Sequence, residues 1–419
     1  MSLATPEKIR TLQRKLYCKA KAEPAFRFYV LYDKICREDI LRHAYMLARG
    51  NAGAPGVDGV SFAAIETSGL EAWLAGLREE LVLKTYRPNP VRRVMIPKPN
   101  GGGERPLGIP TIRDRVVQTA AKLVLEPIFE ADFEDNAYGY RPVRGAVDAV
   151  KEVHRHICRG HTDVVDADLS RYFDTIPHSD LMKSVARRIV DRHVLRLIKL
   201  WLKAPIEERD EGNGTRRIGG GKGNTRGTPQ GGVASPLLAN IYMNRFLKHW
   251  RLTGCGEAFR AHVVAYADDF VILSCGYATE ALAWTKAVMT KLGLTLNEAK
   301  TSVRNARQER FDFLGYCVLQ RQIERRESET ITPVVQLRGR WGQAPRDRLS
   351  GAGLKPPQAA AVKSRGRERW GKSSGHDPEQ VCVRETSESK PADDASLRNK
   401  RHQNQRCEAP LGKVCQVPD

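Results

Sequence analysis

Apolar residues recur at helical spacing through residues 1–50 and again up to about Leu83. Between them Gly53-Ala54-Pro55-Gly56-Val57-Asp58-Gly59 is too rich in glycine for regular structure. From Val91 to Ile109 the period falls to two. Arg93-Val94-Met95-Ile96-Pro97 and Arg105-Pro106-Leu107-Gly108-Ile109 flank Asn100-Gly101-Gly102-Gly103, which predicts a hairpin. Helices are expected over 113–129 and 145–158, and a short buried strand over Asp163 to Leu169. Ser179 is expected to cap a long helix carrying Leu181, Val185, Ile189 and Ile198, followed by a Gly-rich loop and a helix from Ser235 to Trp250. Two apolar runs, His262 to Ala265 and Phe270 to Ser274, then enclose Tyr266-Ala267-Asp268-Asp269. A helix from Thr279 to Leu292 and a strand near Phe311 to Val318 complete the pattern. This β-α-β-β-α-β order predicts an α+β fold, a small antiparallel sheet with helices on one face, and puts Asp168 beside the hairpin of Asp268 and Asp269. From about Leu337 no period of 2 or 3.6 survives, and the tail is expected to lack order.

Composition narrows the partners. Among 419 residues, 69 Lys and Arg against 49 Asp and Glu give a net charge of +20, which draws polyanions and above all nucleic acid. No stretch reaches the roughly 18 apolar residues of a membrane span, and Met1-Ser2-Leu3-Ala4 opens no secretory signal, so a cytoplasmic protein is expected. The nine cysteines are scattered without a Cys-x-x-Cys pair and read as reduced thiols. His154 and His156 stand two apart in a helical pattern and point to different faces, which argues against a metal pair.

Adjacent carboxylates at Asp268 and Asp269 repel one another, and flanking strands strip their hydration, so the pair calls for a cation or solvent. Two magnesium ions clamped by these acids and a third, Asp168, would suit phosphoryl transfer. After Asp168 come Tyr172 and Phe173, flat side chains able to abut a sugar. In Arg226-Gly227-Thr228-Pro229-Gln230-Gly231-Gly232, the glycines let backbone approach a nucleotide or template base. Lys98 and Arg105 flank the hairpin turn as a pair able to grip a triphosphate. Lys300, in Leu296-Asn297-Glu298-Ala299-Lys300-Thr301, follows the helix after the acidic turn and suits a leaving pyrophosphate.

In this order the basic hairpin, Asp strand, Pro-Gln-Gly loop, Tyr-Ala-Asp-Asp turn, Lys300 and Phe313-Leu314-Gly315-Tyr316 resemble the sequence blocks of reverse transcriptases. Tyr32-Asp33-Lys34-Ile35, the Gly53 to Gly59 loop, Arg105-Pro106-Leu107-Gly108-Ile109-Pro110 and Tyr138-Gly139-Tyr140-Arg141-Pro142 resemble, more narrowly, bacterial group II intron-encoded reverse transcriptase/maturases. The resemblance covers about residues 25–320. It implies right-hand polymerase fingers over 1–165, a palm over 166–320, and an atypical basic tail over 321–419 in place of a thumb. Asp168, Asp268 and Asp269 would be catalytic and, with the Leu169 carbonyl, would ligate Mg2+. Phe173, with Tyr172 adjacent, would exclude a ribose 2′-hydroxyl. Lys98 and Arg105 would hold the triphosphate, Gln230 and Gly231 would border nucleotide and template, and Lys300 would sit near the leaving group. Tyr32 to Gly59 would touch template or intron RNA. The implied partners are an RNA template such as group II intron RNA, a DNA primer and deoxynucleoside triphosphates, with dimerisation left open. The alternative is a non-catalytic RNA-binding splicing factor. One departure stands out. The family's helical thumb has no counterpart in the pattern after about Pro333, and His376, Cys382, His402, Cys407 and Cys415 lack nuclease or zinc spacing.

Overall fold

The computed structural model describes residues 4–97, 103–210, 214–221 and 223–318, with short stretches at 320–321, 334–335 and 338–339, all within one compact unit, Met1–Pro345. Lys98, most of the turn after it, and the expectation for the tail lie outside the described residues.

The chain opens with α1 (Glu7–Ala22), α2 (Tyr32–Ile35), α3 (Glu38–Gly50) and α4 (Phe62–Val82). The hairpin strands are β1 (Val91–Pro97) and β2 (Glu104–Ile109), antiparallel with Pro97 opposite Glu104. Helix α5 (Ile112–Glu130) is buried along most of its length and takes α1 and α3 against it. Its N-terminus is fixed by Asp114, which accepts from the Tyr86 hydroxyl at 2.6 Å, the Thr111 hydroxyl at 2.8 Å and the Asn89 amide at 3.0 Å. Next come α6 (Ala146–Cys158), β3 (Asp163–Asp168), α7 (Tyr172–Thr175), α8 (His178–Ala186) and α9 (Arg192–Leu202).

The single long helix expected after Ser179 is thus two. Between them Phe28 and Val190 exchange backbone hydrogen bonds with the facing segment, Phe28 to Arg188 at 2.7 Å and Val190 to Phe28 at 2.9 Å. The Arg188 guanidinium reaches the Ala20 carbonyl at 2.7 Å. Asp191 then caps α9 by accepting from His193 and Val194. The Gly-rich loop expected next is in part a second hairpin, β4 (Ile206–Asp210) and β5 (Gly214–Gly219), which extends the first into a sheet ordered β2-β1-β4-β5.

Helices α10 (Ser235–Leu252) and α11 (Cys255–Ala258) lead into β6 (Ala261–Tyr266), β7 (Asp269–Ser274), α12 (Ala278–Lys291), β8 (Ser302–Asn305), β9 (Phe311–Phe313) and β10 (Tyr316–Val318). The second sheet is antiparallel, ordered β6-β7-β3-β8. Alternation divides its residues. Val165, Ala167, Val263, Ala265, Phe270 and Ile272 join the main core with α10 and α12. Val164, Val264, Val271 and Leu273 join a smaller cluster with α6 and the β9–β10 hairpin. Both faces are therefore covered, not one, because α6 and the β9–β10 hairpin pack on the side away from α10 and α12. Among the described residues no helix is long and apolar enough to cross a membrane.

Candidate active site

Strand register brings the acids together. In the β3–β7 pair Asp168 lies opposite Asp269, and in the β6–β7 hairpin Tyr266 lies opposite Asp269, so Ala267 and Asp268 form a two-residue turn. Ala267 takes φ of 59°, in the left-handed region that a Cβ disfavours. A neighbouring segment holds the turn in place. The Tyr138 amide donates to the Ala265 carbonyl at 2.8 Å and the Ala265 amide to the Asn136 carbonyl at 2.9 Å. Gly139 lies so close that a Cβ there would meet the Ala267 nitrogen at 2.4 Å. Buried Asn240 donates to the Gly139 carbonyl at 2.7 Å, and buried Arg141 pairs with Glu130 at 2.7 Å.

The cluster is electrostatically uneasy. Protein atoms crowd Asp269, Asp268 and Asp168 add like charge, and its carboxyl is pushed up to about 7. Asp268 is raised too, chiefly by burial and then by Asp168, with Arg105 and Lys300 pulling the other way. Asp168 is paired: Lys300 Nζ stands 3.1 Å from its Oδ2, and Asn297 Nδ2 donates to the same oxygen at 3.2 Å. The Asn297 amide also binds the Asp168 carbonyl at 2.8 Å, and the Ser170 amide the Thr295 carbonyl at 2.8 Å. That ladder passes on either side of the Leu169 carbonyl. Asp166, two residues back on the same face, is pushed up to about 6 by burial, with Asp168 and Asp312 adding to it and Arg304 opposing.

Phe173 is half-buried, its ring centroid 6.4 Å from that of Tyr140, which is itself 6.4 Å from Tyr266 on the strand that leads into the acidic turn. Tyr172 is a correction. Its ring is fully buried and its hydroxyl donates to the Ala239 carbonyl at 2.7 Å, so it anchors α7 to α10 and is not available to a nucleotide. Gln230 and Gly231 meet the fingers hairpin: the Gly108 amide binds the Gln230 carbonyl at 2.5 Å, and Gly231, at φ of 99°, leaves no room for a Cβ against the Gly108 oxygen. The Ser235 hydroxyl, at the helix entry expected from sequence, also accepts from Thr228 and donates to the Pro229 carbonyl, pinning this loop. A cavity of about 270 Å³ between the loop and the hairpin is lined by Arg93, Pro106, Gly108, Asp174, Arg226 and Gln230, and it does not include the three acids. Arg105 is exposed on β2 and acts electrostatically on Asp268 and Tyr140. Sequence reasoning quoted Tyr140 and Asn297 within motifs but gave them no role. The signal was their position, one beside the segment that abuts the turn and the other three residues before Lys300.

A four-stranded antiparallel sheet with two acids at a hairpin turn and a third on the adjoining strand, roofed by a basic hairpin, defines the palm and fingers of a right-hand polymerase. Residues 96–318 match the family described as reverse transcriptase (RNA-dependent DNA polymerase). Protein YkfC of Escherichia coli K12 is 34% identical over 370 residues, covering 79% of this chain and 94% of that protein. The group II intron-encoded protein LtrA of Lactococcus lactis is 36% identical over 230 residues, covering 53% of this chain and 35% of LtrA. The putative COX1/OXI3 intron 1 protein of Saccharomyces cerevisiae is 28% identical over 310 residues, 62% of this chain and 36% of that protein. The chain belongs to the reverse transcriptase family, and its relatives include group II intron-encoded proteins. It spans about a third of the two intron-encoded relatives.

Proposed function

We propose that the chain is an RNA-directed DNA polymerase that adds deoxynucleotides to a primer paired with an RNA template. The observation that supports this most is the register that sets Asp168 opposite Asp269 with Asp268 in the adjoining turn. The donor set suits a hard divalent cation: oxygen ligands only, and carboxyls held above their ordinary range by burial and by one another's charge. Asp168, Asp268 and Asp269, with the Leu169 carbonyl, would hold two Mg2+ ions, which when bound stabilise charge on the attacking and leaving oxygens of phosphoryl transfer.

The chain's own residues supply the rest. Lys300 pairs with Asp168 and would bring positive charge to the leaving pyrophosphate. Arg105 brings positive charge to the triphosphate, and Lys98 is proposed to share that role. Phe173 would abut the sugar edge and select against a 2′-hydroxyl, with the Tyr140 ring beside it. Gln230 and Gly231 border the nascent base pair, pinned by Gly108 and Ser235. Primer extension by the full chain on RNA with Mg2+ and deoxynucleotides tests the reading. Extension is expected from the intact protein and not from Asp268→Asn, with RNA binding alike in both. RNA binding without extension in either protein favours the splicing-factor reading, to which the net charge of +20 is equally suited.

A further inference from the structure

On the α6 side of the palm sheet three histidines converge from three places in the chain: His156 in the last turn of α6, His161 in the turn before β3, and His262 on β6. Each offers a ring nitrogen within 4.8 Å of those of the other two. The His156 and His262 rings stack at 4.0 Å, and the His161 ring meets both edge-on at 5.7 and 4.7 Å. The sequence pattern paired His156 with His154, which faces elsewhere. The partners come instead from the turn and the strand.

Hydrogen bonds fix which nitrogens carry protons. His156 is 5% exposed, and its Nε2 lies 2.9 Å from Glu152 Oε1, an acceptor, so the proton sits on Nε2. That leaves Nδ1 as a bare acceptor, and it is buried with no hydrogen-bond partner. His161 Nδ1 faces the His156 carbonyl at 3.3 Å, which places its proton there and frees Nε2. A carboxylate or carbonyl holding one ring nitrogen while the other is presented bare is how metal-bound histidines are oriented. Arg155 and Arg159 oppose a cation here and Glu152 favours it.

We propose that His156, His161 and His262, oriented in part by Glu152, form a binding site for a divalent transition-metal ion of the zinc type that staples α6 to the sheet. Imidazole ligands select zinc and its neighbours over magnesium, so the site does not compete with the carboxylates for Mg2+. Tetrahedral ligation at 2.0–2.1 Å needs nitrogens about 3.3 Å apart. The exposed His262 ring and the half-buried His161 ring close that gap by turning about χ2, a broad torsion.

The test uses the full chain, with Co2+ as a spectroscopic probe and Zn2+ as the competing ion. His262→Ala and His161→Ala are the variants, because both side chains reach solvent and neither supports the core. Wild type is expected to bind one more equivalent of Zn2+ than either variant. It should show Co2+ ligand-field absorption that both variants lose, and gain a rise in thermal midpoint on adding Zn2+ that His262→Ala does not share. Glu152→Gln is expected to weaken Zn2+ binding roughly 10–100-fold. Equal stoichiometry and identical Co2+ spectra in wild type and both variants would overturn the proposal and leave the trio as ring packing alone.

Discussion

Asp163 and Asp168 stand at the two ends of one strand and have opposite fates. Asp163 is satisfied by neutral donors, the Asn305 side chain and the Gly276 amide, each at 2.8 Å. Asp168 faces Asp269 across the ladder and is balanced by one lysine while two more carboxylates press on the same space. The same residue type closes the sheet at one end and leaves it charged at the other. An acidic strand end is structural where the fold supplies its hydrogen bonds, and a site where the fold supplies further acids instead.

The sharpest break between the two ends comes from removing charge at the turn. Asp269→Asn should slow nucleotide addition by at least about 10³-fold, since metal ions contribute several kcal/mol to the transition state and each 1.36 kcal/mol is tenfold. Single-turnover rates check this, and a loss below tenfold would remove Asp269 from the catalytic set. Next in size is sugar selection. Phe173→Ala is expected to erode the preference for deoxynucleotides by roughly 10–100-fold. Tyr172→Phe should leave that preference intact and cost about 1 kcal/mol of stability through its lost bond to Ala239. Competition between ribo- and deoxynucleotides separates the two, and an unchanged Phe173→Ala would move the gate to Tyr140. At the quiet end, Asp163→Ala should lower stability by about 1–3 kcal/mol, read from urea melts, by stranding the two donors it satisfies.

The smallest effect is the pH dependence of the metal-free protein. Asp269 titrates near 3.8 in the unfolded chain and near 7 in the fold, so across that window the folded state holds a proton that the unfolded state has lost. Its contribution to stability therefore falls as pH rises from about 4 to 7 and is flat above. Because its side chain reaches solvent, the effect is screened and modest. The thermal shift produced by Mg2+ should be larger at pH 8 than at pH 6, and should shrink in Asp269→Asn. A shift independent of pH in both proteins would contradict the assignment.

What the sequence made legible follows from where local chemistry decided the structure. The runs around Tyr266-Ala267-Asp268-Asp269 and Val164 to Asp168 are apolar enough to be strands in any packed context, so the sheet and the three acids were readable. The break between α8 and α9 was not, because it is made by Phe28, Ala20 and Pro24, more than 150 residues away. Strands β4 and β8 were missed because Glu207, Glu208 and Arg304 leave no alternation to detect; their pairing partners make them strands. Tyr172 and Phe173 are alike in sequence, and only the position of α10 buries one and leaves the other half-buried beside Tyr140.

Rapid-quench incorporation of one deoxynucleotide opposite an RNA template, with Asp168→Asn and Asp163→Asn measured side by side, tests the central claim most directly. Asp168→Asn should lose incorporation while binding RNA as wild type does, and Asp163→Asn should incorporate within a few-fold of wild type at a temperature where it is folded. Equal rates in the two variants would contradict the division of labour along β3 and the polymerase reading that rests on it.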